Sequence, residues 1–154
     1  MYQNIMVPLD GSELAEFVLP HVAAIAGGCH VAKVSLIRAV APIQLYGGLE
    51  SRFNPEEREH IDKDSMNVAR DYIEQVGRQL KEKGLYVEFE VLYGNVIDTL
   101  VDYANNHDVD LIVMTTHGRS GVSRWFLGSV ADRLLRSAAV PVMTVRPPGC
   151  EPRI

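Results

Sequence analysis

Cysteine is scarce: Cys29 and Cys150 stand far apart, with no Cys-x-x-Cys pair and no metal-ligand spacing. That argues against a disulfide framework or a zinc site, and two reduced thiols are expected. No apolar run reaches the roughly 18 residues that a membrane span needs. The opening Met1-Tyr2-Gln3-Asn4-Ile5 also lacks a basic stretch leading into an apolar one. A cytoplasmic chain with no membrane partner is expected. Basic residues are in deficit, 15 Lys and Arg against 20 Asp and Glu, for a formal net charge of -5. This opposes non-specific nucleic-acid binding, which rests on cations neutralising phosphates, but leaves room for a local anion site. Internal repeats and low-complexity tracts are absent as well.

What remains is ordinary globular composition, 47% hydrophobic and 23% charged in 154 residues, the size of one domain with a compact core. The expected organisation is a single domain over 1-147 and a C-terminal tail over 148-154. Short apolar runs alternate with helical patterns. Tyr2 to Leu9 reads as a buried strand, and Ser12 as the cap of a helix carrying Leu14, Val18, Val22 and Ile25, stopped at Gly27-Gly28. Val31 to Val40 reads as a second strand, followed by a loop over 42 to 54.

Asn54-Pro55-Glu56-Glu57 combines a capping Asn, a first-turn Pro and acids at the positive end of the helix dipole. The helix it starts has an apolar face through Ile61, Val68, Tyr72, Val76 and Leu80 and ends at Gly84, before a strand from Tyr86 to Leu92. Asn95 caps a further helix with Ile97, Leu100, Val101 and Ala104 inward, and Leu111 to Met114 form a fourth strand. A last helix from Ser129 to Ser137 precedes a fifth strand, Val140 to Val145. This alternation predicts an α/β fold, a five-stranded parallel sheet with helices on both faces. Pro141 cannot donate to a ladder, so the last strand belongs at an edge, where a symmetric dimer would cover it.

The segment Met114-Thr115-Thr116-His117-Gly118-Arg119-Ser120-Gly121 through Gly128-Ser129 joins a strand end to a helix start. Ligands of such sheets bind beyond the carboxyl ends of the strands, and a helix N-terminus offers free N–H groups to anions. Gly118 and Gly128 permit close approach of a phosphate, Ser129 can donate its hydroxyl, and Arg119 and Arg124 add positive charge. Neither Gly-x-x-x-x-Gly-Lys-Ser/Thr nor Gly-x-Gly-x-x-Gly occurs. The competing reading makes Ser129 a helix cap with Asp132 completing a capping box. Asp10 can bind a nucleotide or hydrated cation, or help start the first helix. His117 has no acidic or second-ligand neighbour and reads as a turn or packing residue. Trp125 and Phe126 read as packing residues in the core or over the loop, with an aromatic stack on a base as the alternative.

Taken together, these residues resemble the nucleotide-binding branch of the universal stress protein family, which carries Gly, two residues, Gly, nine residues, then Gly-Ser or Gly-Thr. Gly118 fills the second glycine, residues 119 to 127 the spacer, and Gly128-Ser129 the close, while Thr115 stands at the first glycine. The likeness runs from Ile5-Met6-Val7-Pro8-Leu9-Asp10-Gly11-Ser12 to Val140-Pro141-Val142-Met143-Thr144-Val145.

The resemblance implies ATP, with Mg or Mn, between the first and fourth strands. Pro8, Leu9 and Asp10 would form one wall, Ala39 would lie near adenine, and Met114 and Thr115 would continue the wall. Gly118, Arg119, Gly128, Ser129, Val130 and Ala131 would surround the phosphates. It also implies a homodimer through the edge strand Val140 to Val145 and a stress or energy-status role, with a protein partner the sequence does not identify. No catalytic set or protein metal site is expected. A slow ATPase or autophosphorylating phosphotransferase, with Ser120, Ser123 and His117 available, and a nucleotide-free chaperone-like dimer stay open. A receiver domain is disfavoured, because Leu92-Tyr93-Gly94 supplies no acceptor aspartate.

Overall fold

The computed structural model describes residues 2–43, 54–116 and 128–147. Five strands, β1 (Asn4–Pro8), β2 (Lys33–Val40), β3 (Val87–Tyr93), β4 (Leu111–Thr115) and β5 (Val142–Val145), form one sheet in the order β3-β2-β1-β4-β5. Every pairing is parallel. The expected α/β fold with a five-stranded parallel sheet is present, and β5 lies at an edge, as expected, although Pro141 precedes the strand and does not itself impose that position.

Residues alternate between two cores. Ile5 and Val7 of β1, Val34 and Leu36 of β2 and Leu111 and Val113 of β4 pack on one face. Met6, Ile37, Ala39, Ile112 and Met114 pack on the other. This two-residue period, with apolar side chains on both faces, is what a central parallel strand requires. Helices α1 (Glu13–Glu16), α2 (Leu19–Cys29) and α3 (Pro55–Glu82) cover the first face, and α4 (Val96–Asn106) and α5 (Ser129–Ser137) the second.

Several boundaries differ from the sequence reading. Ser12 does cap a helix, accepting from the Ala15 amide, but the expected single helix divides into α1 and α2. Pro20 lies in the first turn of α2. Its ring would strike the carbonyl of Glu16 in a continuous helix, and it has no N–H to donate there. Gly27-Gly28 does not stop α2, which runs on to Cys29. The stop falls at His30, in the left-handed region at φ 52, with its N–H bonded to the Ala26 carbonyl. A glycine permits that conformation without compelling the chain to use it. β2 begins at Lys33 rather than Val31, and β5 at Val142 rather than Val140.

Asn54 and Glu57 form a full capping box on α3, and the Asn95 side chain accepts from the amides of Ile97 and Asp98. The apolar face assigned to α3 needs revision. Val68 is 69% exposed, and the buried residues of α3 are Ala69, Ile73, Val76, Gly77 and Leu80.

At the amino ends of the strands, a polar cluster centred on the buried Asn4 and Ser35 locks the register. The Asn4 side chain donates to the His107 carbonyl at 2.9 Å and accepts from the Ser35 hydroxyl at 2.8 Å. Asp110 accepts from the amides of Gln3 and Asn4. Among the described residues, no helix is long and apolar enough to cross a membrane.

Ile73 is fully buried, so Ile73→Ala is expected to lower stability by about 2–5 kcal/mol in urea denaturation. Val68→Ala should stay within about 0.5 kcal/mol. Equal losses at the two positions would reject this assignment of the α3 face.

Candidate functional site

The strand order reverses at β1, whose neighbours β2 and β4 lead their chains to opposite faces. A crevice therefore opens at the carboxyl ends of β1 and β4, the place where sheets of this kind hold ligands. A cleft of about 900 Å³ occupies it, toward the upper end of the ~300–1,000 Å³ usual for small-molecule sites.

Its floor is the end of β1. After Pro8 pairs with Ile37, the Leu9 amide still donates to the Ile37 carbonyl at 2.9 Å. The chain then turns away through Gly11 at φ 84, a left-handed conformation that favours glycine. Asp10 Oδ1 accepts from both the Ser12 amide, 2.9 Å, and the Ser12 hydroxyl, 2.5 Å. Asp10 thus helps set the start of α1 and also lines the cleft, so both roles read from sequence converge on one side chain.

The second wall comes from β4 and α5. Thr115 is buried and pairs with Val145 as an ordinary strand residue, a setting that suits a β-branched side chain. The Thr116 amide donates to the Val145 carbonyl, and the Gly128 amide returns to the Thr116 carbonyl at 2.6 Å. That bond ties the start of α5 to the end of β4. Gly118 and Arg119 lie outside the described residues, as do His117, Ser120, Ser123, Arg124, Trp125 and Phe126.

The competing reading, in which Ser129 caps the last helix with Asp132 in a capping box, is not met. Gly128 is the cap, with no side-chain hydrogen bond, and the Asp132 carboxylate pairs instead with Arg136 four residues on, at 3.1 Å. A one-turn ion pair competes for the carboxylate, and the capping glycine has no side chain to reciprocate. The first intrahelical bond runs from the Asp132 amide to the Gly128 carbonyl. The amides of Ser129, Val130 and Ala131 therefore have no acceptor within the helix, and they stand at the positive end of its dipole beside the cleft.

Pro8, Leu9, Asp10, Ala39, Met114, Thr115, Gly128, Ser129, Val130 and Ala131, all named from sequence, line this one cleft. The sequence reading missed the wall opposite α5, formed by Ile61, Asp64, Ser65, Val68, Ala69 and Tyr72 of α3, together with Arg38 at the end of β2. Two signals pointed there: a charged residue inside the apolar run of β2, and a helix far longer than the strand it covers. Asp62 holds this part of α3 in place, accepting from the Tyr93 hydroxyl at 2.5 Å and the Ile43 amide at 3.4 Å.

Tyr72 is the most perturbed group of this wall. Burial, followed by the nearby carboxylates of Glu16 and Asp10, drives its hydroxyl well above the ordinary phenol value, and Arg38 opposes weakly. Among the described residues the buried hydroxyl has no hydrogen-bond partner within normal distance. A hydroxyl whose folded pKa is raised supports the fold fully below the unfolded value of 10.0 and loses that contribution as the pH climbs above it. Tyr72→Phe should therefore flatten the decline in stability above pH 10, as followed by denaturant midpoints. A decline identical to that of the unaltered protein would contradict the burial of the hydroxyl.

Comparison with known proteins follows the same outline. The model of the universal stress protein family matches residues 1–146. Universal stress protein MJ0531 of Methanocaldococcus jannaschii is 29% identical over 151 residues, spanning 98% of this chain and 86% of that protein. The solved structure of MJ0577, from the same organism, superposes with a TM-score of 0.82 at 26% identity, covering 96% of this chain and 97% of that one. An Arabidopsis thaliana family member with AMP bound shares the fold at a TM-score of 0.63 and 18% identity, over 96% and 93% of the two chains.

Proposed function

This chain belongs to the universal stress protein family, and from that premise we propose that it is an ATP-binding regulator acting in the cytoplasm as a homodimer. The observation that carries the reading is the start of α5. Three successive amides without helical acceptors follow a cap that has no side chain, and they border the cleft at the point where the strand order reverses. An anionic phosphate chain suits that end by hydrogen bonding and by the helix dipole. The AMP bound by the Arabidopsis thaliana relative supports the same ligand class.

In this reading Ser129, Val130 and Ala131 hold the phosphates, with Gly118 and Arg119 completing the loop. Pro8, Leu9, Asp10, Met114 and Thr115 form the walls, and Ala39 lies by the base. Among the described residues no trio of His, Cys, Asp or Glu is grouped to hold a metal. A Mg or Mn ion accompanying ATP would be held chiefly by the phosphates, with Asp10 as the carboxylate at the β1 end, and would offset phosphate charge. Occupancy by ATP then favours one conformational or dimeric state, which a protein partner reads.

Titration of nucleotide-stripped protein with Mg-ATP should saturate, with little ADP formed. Gly128→Asp is expected to weaken ATP by at least about tenfold, because it sets a carboxylate against the phosphates. Gly128 has φ -51 and ψ 147, and Asp is itself a favoured cap, so the fold should survive the change. Unchanged affinity would reject the site, and rapid ADP release would make the protein an ATPase.

The dimer is assigned to β5, an edge strand that leaves Met143 36% exposed, with Leu135 of α5 also exposed. Met143→Glu should shift the protein from dimer to monomer in sedimentation. A variant that remains dimeric would place the interface elsewhere.

A further inference from the structure

The sheet has two edges, and they are built differently. β5 has four residues and follows Pro141. β3 has seven, roughly 23 Å at about 3.3 Å per residue. Its register with β2 runs without a bulge, from Val87 opposite Val34 to Tyr93 opposite Val40. The Tyr86 carbonyl accepts from the Val34 amide, and the Gly94 amide donates to the Val40 carbonyl. Successive strand residues alternate in direction, so the even-numbered residues bond β2, and Val87, Phe89, Val91 and Tyr93 turn their N–H and C=O groups away from it. Among the described residues no backbone group bonds them on that side. Proline, lysine and a bulge, common guards of an exposed edge, are all missing from β3.

Side chains along this edge sort by face. Val87, Phe89 and Val91 pack toward the α3 layer and Leu92 toward the α4 layer, so the two-residue period places Glu88 and Glu90 on the α4 face. Both glutamates are exposed. Glu88 accepts from Lys33 of β2 on one oxygen, at 3.2 Å, and from the Tyr86 hydroxyl on the other, at 3.0 Å. These are solvent-exposed contacts, and the carboxylate keeps lone pairs for a further donor. Glu90 makes no ion pair among the described residues. On the opposite face the Lys81 ammonium lies over the Phe89 ring, 5.7 Å from its centroid, and Val91 is partly buried beside it.

We propose that β3 docks an extended protein segment as a sixth strand, and that this segment carries Lys or Arg at alternate positions with apolar residues between them. Its backbone pairs with the outward groups of Val87, Phe89, Val91 and Tyr93. Its basic side chains meet Glu88 and Glu90 on the α4 face, and its apolar ones meet Phe89 and Val91 on the other. A second copy of this chain is a poor occupant. Antiparallel pairing of β3 with itself sets the glutamates of one copy against those of the other, and like charges placed opposite destabilise a ladder. A neutral strand would strip water from both carboxylates and return no charge. The acidic pair therefore turns away the copies that an open edge recruits and admits a basic strand. None of these groups lines the cleft, so docking here is independent of the nucleotide reading.

The probe is a peptide as long as β3, alternating Lys and Val and blocked at both ends, titrated into the full chain free of nucleotide. It should bind saturably and slow hydrogen exchange at the outward amides of Phe89 and Val91 by at least about tenfold. The same peptide with N-methylated backbone amides, and one with Glu in place of Lys, should each bind at least about tenfold more weakly. Glu88→Lys combined with Glu90→Lys should reverse the preference, so that the Glu-Val peptide binds better than the Lys-Val one. Both positions are exposed, so the variant should keep its urea midpoint. Equal binding of the N-methylated peptide reduces the effect to ionic attraction by a chain of net charge -5 and overturns the proposal. Absent binding, protection that spares β3, or a preference unmoved by the double variant overturns it as well, and each leaves the ATP reading standing.

Discussion

The pairing of β1 with β4 is the constraint on which the rest of this molecule depends. Ile5 stands against Leu111 and Met6 against Ile112, side chains buried in both layers. The chain reaches β4 only after building β2 and β3 on the far side of β1. Right-handed crossovers then commit α1, α2 and α3 to one face and α4 and α5 to the other. Connections leaving β1 and β4 must diverge, and a crevice remains where they part. The cleft is thus a product of topology before any residue in it is chosen.

The two ends of the sheet are treated differently. At the amino ends, Asp110 and the His107 carbonyl close on the buried Asn4, which also pairs with the buried Ser35, and slippage would leave the Asn4 and Ser35 side chains unsatisfied. At the carboxyl ends the corresponding groups are turned outward. The first amides of α5 lack helical acceptors, and the cap before them has no side chain to occupy the space. Register is secured at one end, and an open cleft remains at the other. The fold can therefore be specified by residues that do not line the cleft.

The length of α3 adds a third element. A helix matched to β2 would have ended the cleft at the sheet's rim, but the additional turns before Ala69 raise a wall above it. Asp62 ties that wall to the end of β3 through Tyr93 and to the chain after β2 through the Ile43 amide. Val68 shows what this does to a pattern: helical spacing marks it as core, while its place beyond the sheet leaves it 69% exposed.

Local chemistry was legible wherever a short stretch of chain is sufficient to fix it. The caps at Ser12, Asn54 and Asn95 and the apolar strands all follow from neighbours within a few residues. The sequence therefore determined the α/β class and most of the residues on the β1, β4 and α5 sides of the cleft. Only the tertiary structure decided that Gly128 and not Ser129 caps α5, that α2 ends at His30, and that the α3 stripe faces a ligand-sized space instead of a core. The reason is physical: periodicity records which side chains share a face, and only the packed sheet decides whether that face meets another layer or an open cleft.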